Sequence, residues 1–168
     1  MAKGFSLIDR ESLVASGRML PVPPAPVGAY RAVVIRHGLG FVSGQFPLFN
    51  GEMLWTAGHA ETDVDAARAA ARVAALNVIA QIHQALGSWD RFAGLCRVDG
   101  IIAAQMGFSS HATILDAASE TFVDYFGPER GAHTRSAMSS PSLPRDAALE
   151  LVVTFAVADE AAPQPMEG

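Results

Sequence analysis

The stretch His133-Thr134-Arg135-Ser136-Ala137, continuing through Leu143-Pro144-Arg145-Asp146 to Leu149-Glu150-Leu151-Val152-Val153-Thr154-Phe155, decides how the chain is read. It sets one arginine in a short extended segment, turns at prolines, and returns as a strand bearing a single carboxylate. Leu149, Leu151, Val153 and Phe155 alternate with Glu150, Val152, Thr154 and Ala156, the period-two pattern of a strand with one face in a core. The two extended pieces are predicted to close the domain as a hairpin from Arg135 to Phe155. Pro141 and Pro144 make its loop irregular, so whether Arg135 and Glu150 share a face stays open. Arg135 has two readings. A desolvated guanidinium needs an anionic or carbonyl partner, and its planar fork suits a carboxylate held by two parallel hydrogen bonds. The plainer reading sets it on a solvated edge, or in a structural pair with Glu150.

Outward from this strand the chain supplies the layers that a half-apolar sheet requires. Residues 6–18 read as a short amphipathic helix, and Pro21, Pro23, Pro24 and Pro26 as an extended arm, since each ring fixes φ and removes a donor. Ala32 to Arg36 and Phe41 to Gln45 read as strands around the turn His37-Gly38-Leu39-Gly40, and Asn50-Gly51 as another tight turn. Thr62 with Asp65 resembles a capping box, and Gly87 a stop. Between them Val64, Ala67, Ala71, Ala75, Val78, Ile82 and Leu86 form one apolar stripe of a long helix. Leu95 to Ala104 reads as a central strand with a possible bulge at Asp99-Gly100. Ser109 or Ser110 caps a second helix striped by Leu115, Ala118, Phe122, Tyr125 and Phe126 and ended by Gly127-Pro128. Residues after Asp159 are expected to be a disordered tail. The predicted order is β-β-α-β-α-β-β, an α+β layer fold with both helices on one face of a mixed sheet. The other face, carrying Val152 and Ala156, then needs a cover, and oligomerisation is the simplest one.

Bulk properties agree with that need. The 168 residues suffice for one domain with a core; 50% are hydrophobic and only 17% charged. With mean hydropathy of +0.23, the chain is apolar for a small soluble monomer. The formal net charge of -5 and the absence of any Lys/Arg run are the opposite of a nucleic-acid footprint. Cys96 stands alone, which excludes an intrachain disulfide and fits a reducing compartment. No signal peptide is visible and no apolar run reaches the ~20 residues of a membrane span, so the expected location is cytoplasmic.

The Arg135-Ser136-Ala137…Leu143-Pro144…Glu150 run resembles the C-terminal signature of the RidA family (reactive intermediate deaminase A, also called YjgF or L-PSP endoribonuclease family). Gly28-Ala29-Tyr30, Phe41-Val42-Ser43-Gly44-Gln45-Phe46-Pro47, Ala70-Ala71-Arg72-Val73-Ala74-Ala75-Leu76-Asn77 and Phe126-Gly127 resemble it too, in the right order, across roughly residues 15 to 158. The proline-rich arm is similar to that of a sister subgroup. The implied organisation is an arm over 1–27, a RidA-like domain over 28–158 and a tail over 159–168. The resemblance further implies a chorismate-mutase-like fold and a homotrimer with clefts between subunits.

In that family Arg135 would hold a substrate carboxylate and Glu150 would position or activate water. Tyr30 would line the cleft, and Ser43 and Gly44 would form its floor. Ser119 and Ala137 fall at two further site positions, where the deaminase branch carries asparagine and cysteine. The implied reaction is hydrolysis of an amino-acid-derived enamine or imine to a 2-oxo acid and ammonia, with no metal or organic cofactor. The alternative is a protein that binds a small-carboxylate metabolite in the same cleft without deaminating it. An endoribonuclease fits an anionic chain poorly. His37, His59, His83, His111 and His133 stand singly, without metal-ligand spacing. His133 precedes Arg135 by two residues and reads as a cleft acid or base, or as a hydrogen-bonded rim residue.

Overall fold

The computed structural model describes residues 20–49, 51–57 and 63–158. The helix read at 6–18, Asn50, His59, Thr62 and the tail after Ala158 lie outside these residues. The strands are β1 (Val33–Arg36), β2 (Leu39–Gln45), β3 (Leu48–Phe49), β4 (Glu52–Met53), β5 (Phe92–Ala103), β6 (Thr134–Ser140) and β7 (Leu149–Val157). The helices are α1 (Val64–Leu86) and α2 (His111–Arg130). Apart from the small β3–β4 hairpin, which sequence reasoning did not separate, the elements follow the predicted order.

The main sheet has five strands in the order β1-β2-β7-β5-β6. β6 and β7 are therefore not the hairpin that the sequence suggested. β5 lies between them, antiparallel to β7 and parallel to β6. The physical reason lies in the connection. Ser140 to Leu149 includes a single 3-10 turn (Pro144–Asp146) with Arg145 and Asp146 at φ 59 and 56, which carries the chain past β5 instead of folding it straight back. β1 and β2 do form a hairpin, through a two-residue turn with His37 at φ 50 and Gly38 at φ 74. Positive values at both positions match the strand twist.

α1 begins at Asp63, whose carboxylate accepts from the Ala66 N–H at 3.0 Å, one residue past the expected Thr62 start. It ends as predicted, with Gly87 at φ 76 and its N–H on the His83 carbonyl. Fully buried alanines at 67, 70, 71, 74 and 75 let α1 lie close to the sheet and to α2. α2 starts after Ser110, which makes no side-chain cap. It breaks at Gly127 (φ 84), after which Pro128 begins one more turn ending at Arg130. Trp89 packs among Phe92, Tyr125 and Phe126 at ring separations of 5.2 to 5.7 Å. The bulge expected at Asp99-Gly100 is not there. The β5–β7 register slips earlier, between Phe92 and Gly94 and between Leu95 and Arg97. Gly100 instead provides the seat for Leu115 of α2.

The β7 alternation appears as predicted. Leu149, Leu151, Val153, Phe155 and Val157 are buried under the helices, while Glu150, Val152, Thr154 and Ala156 are half-buried on the opposite face. Each large side chain on the covered face contributes about 1.5–3 kcal/mol relative to exposure. No helix of the described residues covers the opposite face. Register places Leu39, Phe41 and Met138 on that face, exposed by 39%, 46% and 46%. Arg97 and Asp99 pair there as well, with Arg97 also donating to the Ser136 hydroxyl at 2.7 Å.

Candidate functional site

The cross-strand register answers the question left open about Arg135 and Glu150. Arg135 stands beside Val98, which stands beside Val153, so Arg135 belongs to the helix-covered side of the edge strand β6. Glu150 stands beside Ile101 on the other face. The two do not meet within one chain. The expected residues fall into two groups.

The first group lies between β6 and α2. Arg135 donates through Nη1 to the Ser119 hydroxyl and through Nη2 to Asp116 Oδ1, both at 2.9 Å. The plainer reading of an ion-paired edge arginine is thus partly right, with Asp116 as the partner and not Glu150. Among the described residues the fork has no other partner, which leaves three of its five N–H donors, enough for a bidentate carboxylate. His133 Nδ1 donates to the Gly131 carbonyl at 2.7 Å, which leaves Nε2 to accept from the Ser119 hydroxyl at 3.0 Å. Ser119 therefore receives from Arg135 and gives to His133, which fixes the angle of the fork. Ala137 follows on the same side of β6 and is exposed.

The second group lies at the far end of β2. Here β2 slips register against β7 between Val42 and Gln45, a bulge that releases Ser43 and Gly44 from regular pairing. Glu150 lies directly over Gly44: a Cβ at that position would sit 1.5 Å from Glu150 Oε1. Only glycine admits the carboxylate there. Burial pushes the Glu150 carboxyl above the usual carboxylate range. Tyr30, Ser43 and Gly44 line an open groove together with Pro24, Phe46 and Arg145.

Two buried amides of α1 hold this second group, and sequence reasoning missed both. Asn77 Nδ2 donates to the carbonyls of Phe46 (2.9 Å) and Leu48 (2.7 Å). Gln81 Nε2 donates to the Pro24 carbonyl (2.6 Å) and faces Gln45 Oε1 at 3.5 Å, while Gln45 Nε2 donates to the carbonyls of Ser43 and Gly44. The proline arm and the bulge are thus tied to one helix. The visible signal was two amides four residues apart in an otherwise apolar stretch, since a buried amide must find partners. Asp116 was also missed; its spacing of three from Ser119 on a helix was the clue.

Known proteins resemble this chain in sequence and fold. The pattern of the YjgF/chorismate-mutase-like endoribonuclease family matches residues 10–158. The chain belongs to that family. Protein TCP17 of Trypanosoma cruzi is 33% identical over 152 residues, which span 83% of this chain and 94% of the relative. A candidate endoribonuclease from Shewanella oneidensis MR-1 superposes with a TM-score of 0.79 at 32% identity, covering 88% of this chain and 97% of that one. E. coli TdcF, solved with bound serine, is similar in fold alone (TM-score 0.59, 23% identity, 80% of this chain and 93% of that one). The chorismate-mutase-like fold is thereby established, with two helices on a mixed sheet. No described helix is long and apolar enough to cross a membrane.

Proposed function

We propose that this YjgF-family chain hydrolyses small amino-acid-derived imines or enamines to 2-oxo acids and ammonia. The reaction takes place in clefts formed where the Arg135 group of one copy meets the Glu150 group of another, in a homotrimer. The observation that carries this reading is the division of the site residues between two faces. A carboxylate-gripping fork and a half-buried carboxylate occupy separate surfaces, and one of those surfaces is a sheet face exposing Leu39, Phe41 and Met138. Joining copies through that face buries apolar area and completes a site at the same time.

In the joined cleft Arg135 holds the substrate carboxylate, with Ser119 and Asp116 fixing its plane. Glu150 accepts a hydrogen bond from a water and takes the proton it loses as oxygen attacks the imine carbon. The C=N bond becomes a single bond, nitrogen gains protons, and ammonia leaves as the carbonyl forms. An imine is already activated, so the step requires neither metal nor organic cofactor. The raised affinity of Glu150 for a proton makes it a stronger base than an exposed carboxylate.

A binding protein without turnover is the second reading. One observation favours it: Ala137 and Ser119 bring only a methyl group and a hydroxyl beside Arg135. Imines generated in situ from several amino acids, with ammonia release as the readout, separate the two. The parent is expected to accelerate release, and Glu150→Gln to lose ~10²-fold in turnover while keeping its affinity for small carboxylates. A parent that binds carboxylates but accelerates none of the imines would leave the binding reading in place.

A further inference from the structure

The groove of the Glu150 group contains a second arginine that the proposed hydrolysis does not use. Arg145 lines it with Tyr30, Ser43 and Gly44. Its side chain is exposed and makes no hydrogen bond or ion pair among the described residues. Its backbone is held away from the ordinary conformations: Arg145 and Asp146 sit at φ 59 and 56, which side-chain-bearing residues seldom adopt in succession. The turn is pinned on both sides. Ala147 donates to the Pro144 carbonyl at 3.3 Å, Ala57 donates to the Asp146 carbonyl at 2.7 Å, and Ala148 donates to the Trp55 carbonyl at 3.1 Å. A rigid turn therefore presents a free guanidinium at a groove.

Glu150 does not neutralise it. Burial alone moves the Glu150 carboxyl upward, with no cation opposing the shift, and no ion pair joins the two residues. Arg135, by contrast, already shares its charge with Asp116. A cleft built from both groups would thus contain one partly compensated arginine and one uncompensated arginine. A ligand with a single carboxylate satisfies the first and leaves the second unmatched.

We propose that Arg145 is a specificity-determining residue that receives a second anionic group, so that the preferred substrates are those whose side chain ends in a carboxylate. The inference rests on the reading of Arg135 as the grip for the first carboxylate. The matching side chain is that of an acidic amino acid, whose imine has carboxylates at both ends. A guanidinium and a carboxylate form charge-assisted hydrogen bonds in two parallel arms, which rewards a planar terminal carboxylate over a hydroxyl or a methyl.

Calorimetric titration of the full chain with succinate and glutarate, against butyrate and valerate of matched length, tests this at fixed ionic strength. The parent is expected to prefer the dicarboxylates by about tenfold or more, and Arg145→Gln to reduce that ratio to near one. Arg145→Lys should retain part of the preference, which separates loss of charge from damage to the turn. A ratio near one in the parent, or an unchanged ratio in Arg145→Gln, overturns the proposal. If the monocarboxylates bind and depend on Arg135 while the ratio is near one, only the role of Arg145 falls. If no carboxylate binds the parent at all, the grip assigned to Arg135 falls with it.

Discussion

The two groups of site residues are built by different means, and the difference shows what each can do alone. The Arg135 group is a side-chain network on regular elements, with β6 and α2 presenting Arg135, Ser119, His133 and Asp116 in one chain of hydrogen bonds. The Glu150 group is an irregularity held by backbone contacts: a bulge at Ser43-Gly44, a proline arm, and two buried amides of α1 that tie both in place. On the proposed reading the first binds the carboxylate, while its His133 and Asp116 are engaged in holding Ser119 and Arg135. The second holds a half-buried carboxylate beside an open groove. On the same proposed reading each is half of a site, and the sheet separates them.

Mixing two defective variants tests that division most severely. Arg135→Lys disables one group and Glu150→Gln the other, so each alone is expected to be nearly inactive. If the cleft forms between copies, denaturing the two together and refolding them restores clefts in which both groups are intact. Random pairing in a ring predicts about a quarter of parent activity for an equal mixture. Mixed samples as inactive as the separate variants, with oligomers demonstrably exchanged, would break the comparison and with it the inter-subunit site.

The sequence displayed one group more plainly than the other. The β7 alternation, the α1 stripe and its glycine stop are periodic signals arising from burial, and the structure follows them closely. The Arg135–Ser119 contact joins residues 16 apart across two elements and was reachable only by resemblance. The pairing of β6 was illegible. Two extended segments around a short loop normally form a hairpin, and nothing local in Ser139 to Ala148 announces that β5 intervenes. The bulge at Gly44 was equally hidden, because the Glu150 side chain that lies over it comes from a strand more than a hundred residues later. Long-range packing decided the points that local pattern could not.

Gly44→Ala sharpens the comparison by damaging one group only. The new methyl would occupy the place of the Glu150 carboxylate, 1.5 Å from its oxygen, so the side chain must rotate away. A base displaced by an ångström or more costs about 10-fold to 10²-fold in rate. Turnover on the best imine is therefore expected to fall at least tenfold, while affinity for small carboxylates, which depends on Arg135, changes little. A thermal melt near that of the parent shows that the fold survives. Unchanged turnover in a folded Gly44→Ala protein would mean that the position of Glu150 does not matter to the chemistry.

The smallest expected effect reads the charge balance of the Glu150 group through stability. Burial raises the folded-state pKa of Glu150 above its unfolded value, so the native state holds this proton more tightly than the unfolded chain does. The stabilising contribution is full below the unfolded pKa, near 4.3 for a free glutamate, and is lost as pH rises through the higher folded value. Above that window the parent carries a partly desolvated carboxylate at a cost that Glu150→Gln avoids. Urea unfolding of the two proteins at one protein concentration should give similar stabilities at the acid end and a modest advantage for Glu150→Gln at neutral pH. Holding concentration fixed matters, because assembly and folding are linked. A neutral-pH advantage for the parent would reverse the sign and place a cation against the carboxylate. Arg145 of the same groove, or Arg135 of a neighbouring copy, would then be the charge to remove next, and the two surfaces would already be joined in the resting protein.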